Sequence, residues 1–303
     1  MKLALVGLSG CGKTSIYLTT FLSKAPHETK TLSPTVMYEI HNHPYLGLEV
    51  NLFDFGGQET YRQSYLENPD IFVNTRHLIF VVDLHDKERF EMAKDYFGRV
   101  LEICKDQKPL VYLFWHKFDV EEFPRPQLDK NLKRARETII PIFEGWDTKT
   151  YQTSIYKQEE LTHLIRDILL SDYEILKQHI DQAGEVLKEI PTKIIVSDIS
   201  GNTIVHNVPG IGKGLQLRSD IRNFITAANI LRESFFATDS ASFNGKASNI
   251  KKSIELHVFK YILAVLAMHE KELSEEGRTR LDLLLSDTEI FADLVIRAHE
   301  GEV

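Results

Sequence analysis

The sequence is poor in cysteine and has no excess of positive charge. Its 303 residues include 2 cysteines, Cys11 and Cys104, too few for the disulfide framework that staples small secreted domains. A reducing compartment fits that usage, and a cytoplasmic location is expected. Lys and Arg number 36 against 44 Asp and Glu, a formal net charge of −8. A non-specific nucleic-acid binder shows the opposite balance, so no nucleic-acid partner is expected. No run of about 18 apolar residues occurs, which argues against a transmembrane helix and against direct insertion into a membrane. The opening MKLALVGLSGCGKT has no small-residue cleavage site after its apolar run and reads as a strand rather than a signal peptide. Lys2 stands where N-myristoylation needs glycine, and the end from His299 to Val303 carries no prenylation box. A membrane location would then depend on a partner.

What is present is ordinary globular composition, 43% hydrophobic and 26% charged. The length suits two domains of about 100–200 residues each. The first half alternates strand and helix patterns. Apolar runs at Leu3 to Val6, Thr35 to Ile40, Leu48 to Phe53, His77 to Asp83 and Leu110 to Trp115 read as strands, with a turn around His43-Pro44-Tyr45. Helical stretches fall at Ser15 to Ser23, Lys87 to Lys105 and Leu128 to Pro141. That alternation predicts a doubly wound α/β sheet. From about Glu159 the pattern becomes one long amphipathic helix, with a stripe at Leu169, Tyr173, Leu176, Ile180, Ala183, Leu187 and Ile190. The stripe fits a connector packed on its own chain, or a helix that helps to form a dimer seam. After it, Lys193 to Ile199 and Thr203 to Val208 flank Ser200-Gly201-Asn202, a hairpin signal. A helix from Leu217 to Phe236, strands at Ser253 to Phe259 and Tyr261 to Met268, and a helix from Ser274 to Ala298 complete an α+β module on an antiparallel sheet. The expected division is 1–170, a connecting helix over 171–190, and 191–303.

Chemistry enters with Gly7-Leu8-Ser9-Gly10-Cys11-Gly12-Lys13-Thr14, the G-x-x-x-x-G-K-T phosphate-binding loop, set between a strand and a helix as the motif requires. Residues Ser9 to Ser15 are expected to cradle phosphates, with Lys13 on the β- and γ-phosphates and Thr14 on Mg²⁺. The helix N-terminus adds a favourable dipole. Asp54-Phe55-Gly56-Gly57-Gln58-Glu59 ends a strand. Asp54 there supports the metal, Gly57 brings a backbone N–H to the γ-phosphate, and Gln58 orients the attacking water. Thr35 lies on the loop between the two motifs, where its hydroxyl reaches Mg²⁺ when a γ-phosphate draws the loop in. His116-Lys117-Phe118-Asp119 follows a buried strand. The Asp119 carboxylate accepts two hydrogen bonds from guanine N1–H and N2–H₂, which adenine cannot supply. The Lys117 stem lies over the purine, and Ser154-Ile155 places a backbone N–H near guanine O6.

These motifs, in this order, resemble the small regulatory GTPases of the P-loop class. More narrowly the chain resembles the Rag GTPases, the Gtr proteins of fungi, and their archaeal relatives. The narrower resemblance rests on His116 in place of the usual Asn of the guanine motif, on Ser9 within Leu8 to Ser15, and on Leu46 to Thr60. It implies a small-GTPase domain followed by a roadblock-like (longin-related) domain. It implies slow GTP hydrolysis, with GTP, GDP and Mg²⁺ as ligands and Gln58, Lys13 and Thr35 as the hydrolytic set. It also implies a homo- or heterodimer through the C-terminal domain, a roadblock-type scaffold that holds the pair on a membrane, activating and exchange factors, and nutrient signalling to the target-of-rapamycin kinase complex. Two alternative readings are a nucleotide-bound structural scaffold acting mainly through the C-terminal dimerisation domain, and an Arf-like GTPase fused to another domain.

Weaker signals have plainer readings. His41 and His43 could share one strand face as a metal pair, but a zinc site needs three or four ligands, so a solvated hairpin is expected. Cys11 reads as a small loop residue rather than a redox thiol. Arg62 reads as a loop arginine facing solvent or a partner rather than a finger in cis. The acidic stretch Glu270 to Glu276 reads as the solvated start of the last helix.

Overall fold

A computed structural model describes residues 1–22, 24–46, 48–198, 201–208, 240–246, 253–260, 262–269 and 272–300. The chain divides into two units, one of Met1–His43 with Glu49–Ile168 and one of Pro44–Leu48 with Leu169–Val303.

The first unit is built on β1 (Lys2–Gly7), β2 (Tyr38–Tyr45), β3 (Leu48–Phe55), β4 (Thr75–Asp83), β5 (Leu110–His116) and β6 (Thr148–Thr153), in the order β2-β3-β1-β4-β5-β6. β1 runs parallel to both β3 and β4, and β4-β5-β6 continue in parallel. Its helices are α1 (Lys13–Phe21), α2 (Glu59–Glu67), α3 (Phe90–Cys104), α4 (Arg125–Ile139) and α5 (Gln158–Leu169). β4 and β5 are buried along nearly their whole length, as strands covered on both faces must be. Ala4, Val6, Phe80, Leu113 and Trp115 meet Phe97, Val100, Leu128 and Leu132 in one core, each large side chain contributing about 1.5–3 kcal/mol by burial. Strand order reverses at β1, so the ends of β1, β3, β4 and β5 open onto one crevice, where such sheets bind ligands.

Local readings shift where geometry forbids them. β2 starts at Tyr38 rather than Thr35 because Met37 has φ 55°, a left-handed backbone that a strand cannot contain. It then runs through the expected turn at His43 to Tyr45. β6 (TKTYQT) is a polar edge strand, which carries little apolar signal.

In the second unit, α6 (Glu174–Glu189) and α7 (Glu275–His299) accompany β7 (Lys193–Asp198), β8 (Thr203–His206), β9 (Ser240–Lys246), β10 (Ser253–Phe259) and β11 (Leu263–His269). The strands form an antiparallel sheet in the order β8-β7-β11-β10-β9. The expected single helix after Glu159 is two helices, α5 and α6. They are separated by a turn that the Tyr173 N–H closes on the Leu170 carbonyl at 2.9 Å, with Tyr173 itself non-helical at φ −124° and ψ 63°. Stripe residues Leu176, Ile180, Leu187 and Ile190 are buried within this chain. Ser274 caps α7, its Oγ accepting from the Gly277 N–H at 3.1 Å, and Glu275 and Glu276 occupy the first turn. The helix expected over 217–236 lies outside the described residues. Among the described residues no helix is long and apolar enough to cross a membrane.

Candidate functional site

The crevice holds a cleft of about 550 Å³. One wall begins where β1 gives way to a loop and α1. Gly10 and Gly12 have φ of 78° and 100°, which turns successive backbone N–H groups inward. Lys13 is 5% exposed. Its ammonium donates to the carbonyls of Gly7 at 3.0 Å and Leu8 at 2.9 Å, within its own loop. Cys11 is buried behind that loop, and burial pushes its thiol pKa up, the opposite of a reactive thiolate.

Beside Lys13 the side-chain oxygens of three residues converge. The Thr14 hydroxyl donates to Asp54 Oδ2 at 2.5 Å and lies 2.9 Å from the Thr35 hydroxyl, which is itself 3.4 Å from Asp54 Oδ2. Asp54 is wholly buried at the end of β3, and its Oδ1 has no protein partner. Burial raises its pKa, against the Thr14 hydroxyl and the nearby Lys13 charge. An orphaned carboxylate oxygen beside two hydroxyls is a hard, all-oxygen donor set that fits Mg²⁺.

Gly57 presses its backbone onto the phosphate loop. A Cβ there would lie 2.2 Å from both Leu8 C and Ser9 N, so no other residue fits. Gln58 occupies the position before the first turn of α2, makes no side-chain capping bond and is exposed; it stands outside the residues that line the cleft. Arg62 is not the solvent-facing loop arginine expected from the sequence. It is 9% exposed, its Nε donates to the Gly57 carbonyl at 3.2 Å, and its guanidinium lies 5.3 Å from the Tyr96 ring centroid. The Tyr96 ring supplies the cation–π contact that keeps the charge inside.

The far end is built on the loops after β5 and β6. His116 is 1% exposed, its Nδ1 is 2.9 Å from the Thr153 hydroxyl, and its ring lies under Gly12. Burial pushes its pKa down to about 3, with the Lys117 charge acting in the same sense. It is a neutral spacer between two loops. Lys117, at φ 60°, donates to the Gly10 carbonyl at 2.8 Å and pairs with Asp83 at 2.6 Å. Asp119 accepts from the Ser154 hydroxyl at 2.6 Å, and burial raises its pKa against that bond. Ile155 lines the cleft; Ser154 is buried behind Asp119.

Ser9, Gly10, Gly12, Lys13, Thr14, Ser15, Thr35, Gly57, His116, Lys117, Asp119 and Ile155 therefore share one cleft. Cys11, Asp54 and Ser154 stand behind its walls, and Gln58 points to no partner in it. Sequence reasoning missed Thr29, Lys30, His85, Glu122, Phe123 and Tyr156, which also line it. His85 and Phe123 pack with ring centroids 4.0 Å apart, and the Tyr156 hydroxyl donates to Glu122 at 2.5 Å. None sits in a local motif, so long-range packing alone reveals them. His41 stacks on Tyr17 at 3.9 Å, and the described residues contain no group of three or more His, Cys, Asp or Glu able to hold a metal.

A parallel sheet with a phosphate loop at one end of such a cleft and a His-Lys-x-Asp turn at the other places the chain among the small GTPases. Comparison with known proteins narrows the class. The family described as the Gtr1/RagA G protein conserved region matches residues 2–208, and the chain belongs to that family of GTP hydrolases. It is 28% identical over 263 residues to Ras-related GTP-binding protein A of Dictyostelium discoideum, covering 83% of each chain. Over 217 residues it is 28% identical to GTP-binding protein gtr1 of Schizosaccharomyces pombe, covering 67% of this chain and 69% of that one. Among solved structures, the Arl6 BBS3 small GTPase of Trypanosoma brucei with bound GppNp gives a TM-score of 0.41 at 17% identity, covering 55% of this chain and 96% of that chain.

Proposed function

We propose that the cleft holds GTP or GDP with Mg²⁺, with the phosphates against Lys13 and the guanine against Asp119, and that the protein acts as a switch by slow hydrolysis. The observation that carries this is the meeting of Thr14, Thr35 and Asp54 at one end of a cleft whose other end is Lys117 and Asp119. The Lys13 ammonium turns from two loop carbonyls to the β- and γ-phosphate oxygens. Thr14, Thr35 and Asp54, directly or through water, would hold the metal. Mg²⁺, when bound, neutralises charge developing between the β- and γ-phosphates. Gly57 offers its backbone N–H to the γ-phosphate. Gln58 turns inward from the start of α2 to orient the attacking water. Unassisted turnover is expected on the order of 10⁻⁴ to 10⁻² per second, as in this class.

Residues 1–170 act as the switch, 171–190 as the connection, and 191–303 as a roadblock-like dimerisation module. Family membership and the antiparallel sheet of the second unit support that division. A homo- or heterodimer, a roadblock-type scaffold that brings the pair to a membrane, activating and exchange factors, and nutrient signalling follow from the same reading. Native mass spectrometry of the purified chain tests it, because nucleotide and stoichiometry are read together. A chain carrying GDP or GTP is expected. A folded chain that stays empty after incubation with GDP and Mg²⁺ overturns the proposal. Lys13→Ala is expected to abolish binding in the same measurement.

A further inference from the structure

Two loops approach the phosphate end of the cleft, one carrying Thr35 and one carrying Gly57, and the hydrogen bonds between them converge on one carbonyl. The Met37 carbonyl accepts from the Gly56 N–H at 2.6 Å and from the Tyr65 hydroxyl. Met37 has φ 55°, a left-handed backbone that a residue with a Cβ adopts only where its surroundings impose it. Gly56 is the residue that permits the approach, since a Cβ there would lie 2.4 Å from the Met37 oxygen and 2.7 Å from the Thr35 oxygen. Tyr65 reaches the same oxygen from α2. It is 1% exposed, and its ring meets Phe55 edge-on at 5.0 Å. Burial raises the pKa of its hydroxyl, so it stays a donor. Next along the chain, Gly57 lies on the backbone of Leu8 and Ser9.

We propose that the Met37 carbonyl is a clasp joining the two loops, and that Tyr65 is the positioning residue that closes it. This rests on the nucleotide-switch reading above. With a γ-phosphate present, Gly57 is seated, Gly56 and Tyr65 hold the Met37 oxygen, and Thr35 is delivered to Thr14 and Asp54. When the γ-phosphate leaves, Gly57 lifts, both donors withdraw together, and Met37 relaxes out of its left-handed backbone. Thr35 departs with it. One backbone oxygen thus carries the state of one loop to the other.

The test is Tyr65→Phe in the full chain, which removes one hydroxyl and keeps the buried ring. Dissociation of fluorescent GDP and of a fluorescent non-hydrolysable GTP analogue is followed in excess unlabelled nucleotide with Mg²⁺. Loss of one hydrogen bond, worth ~1 kcal/mol, is expected to speed release of the triphosphate analogue about fivefold and to leave GDP release unchanged. Gly56→Ala, which drives the loops apart sterically, is expected to show the same split more strongly. Equal acceleration with both nucleotides in both variants, or no change with either, overturns the clasp while leaving the switch intact. A wild-type chain that retains neither nucleotide overturns the switch reading itself.

Discussion

At the scale of single residues, Asp119 bears on the expected base specificity and His116 on the response to acid. Asp119 is expected to read guanine through two accepted hydrogen bonds. Asp119→Asn replaces one acceptor by a donor, which suits the carbonyl of xanthine. GDP binding is expected to weaken roughly 10- to 100-fold, the equivalent of a charged hydrogen bond of ~1.5–3 kcal/mol, while xanthosine diphosphate gains. Competition titration with the two diphosphates checks this, and a variant still strict for GDP would remove Asp119 from base reading. His116 sets an acid limit. Its pKa falls from 6.5 to about 3 in the folded chain, so between those values the unfolded state binds more protons and stability drops as pH falls. The loss reaches roughly 2 kcal/mol at pH 5. His116→Asn is expected to flatten the difference between urea midpoints at pH 7 and pH 5; an unchanged slope would assign the acid sensitivity elsewhere. The motif residues were legible because Gly7 to Thr14, Asp54 to Glu59 and His116 to Asp119 each put their chemistry within a few positions. Arg62, His85, Phe123 and the Glu122–Tyr156 pair were not, because their partners lie far along the chain and only packing brings them together.

At the scale of elements, the buried parallel strands carry both stability and function. Leu113 on β5 is fully buried, three residues before His116 at the strand end. Leu113→Ala is expected to cost about 2–5 kcal/mol through lost burial and a residual cavity, measured by urea unfolding; a cost under ~1 kcal/mol would show that the core collapses around the gap. Strands of this kind announce themselves, since HLIFVVD and LVYLFW are continuous apolar runs. β6 did not, because an edge strand of Thr, Lys, Tyr and Gln needs no apolar face of its own. The break between α5 and α6 was equally hidden. The apolar stripe runs through it unbroken, and neither glycine nor proline marks it, so a periodicity argument extends the helix across the turn that the Tyr173 N–H closes on the Leu170 carbonyl. The displaced start of β2 has a single cause, the left-handed backbone at Met37.

At the scale of the whole molecule, the chain carries its own optical reporter. Both of its tryptophans, Trp115 and Trp146, lie in the first unit. Trp fluorescence on heating therefore follows that unit, and GDP at about 100 times its dissociation constant is expected to raise its stability by about 2.7 kcal/mol. A melting curve indifferent to GDP and Mg²⁺ would deny that the cleft of this unit is the binding site. The resting balance between closed and open loops is open to the same accounting. Holding Met37 left-handed costs the closed state about 1 kcal/mol, a several-fold shift in population. Asn tolerates that backbone better, so Met37→Asn is expected to tip the balance toward closure and slow release of the triphosphate analogue. On the clasp proposal, the idle tone of the switch would be tuned by the identity of one exposed side chain outside the cleft lining, a place where selection could adjust signalling threshold without disturbing the chemistry.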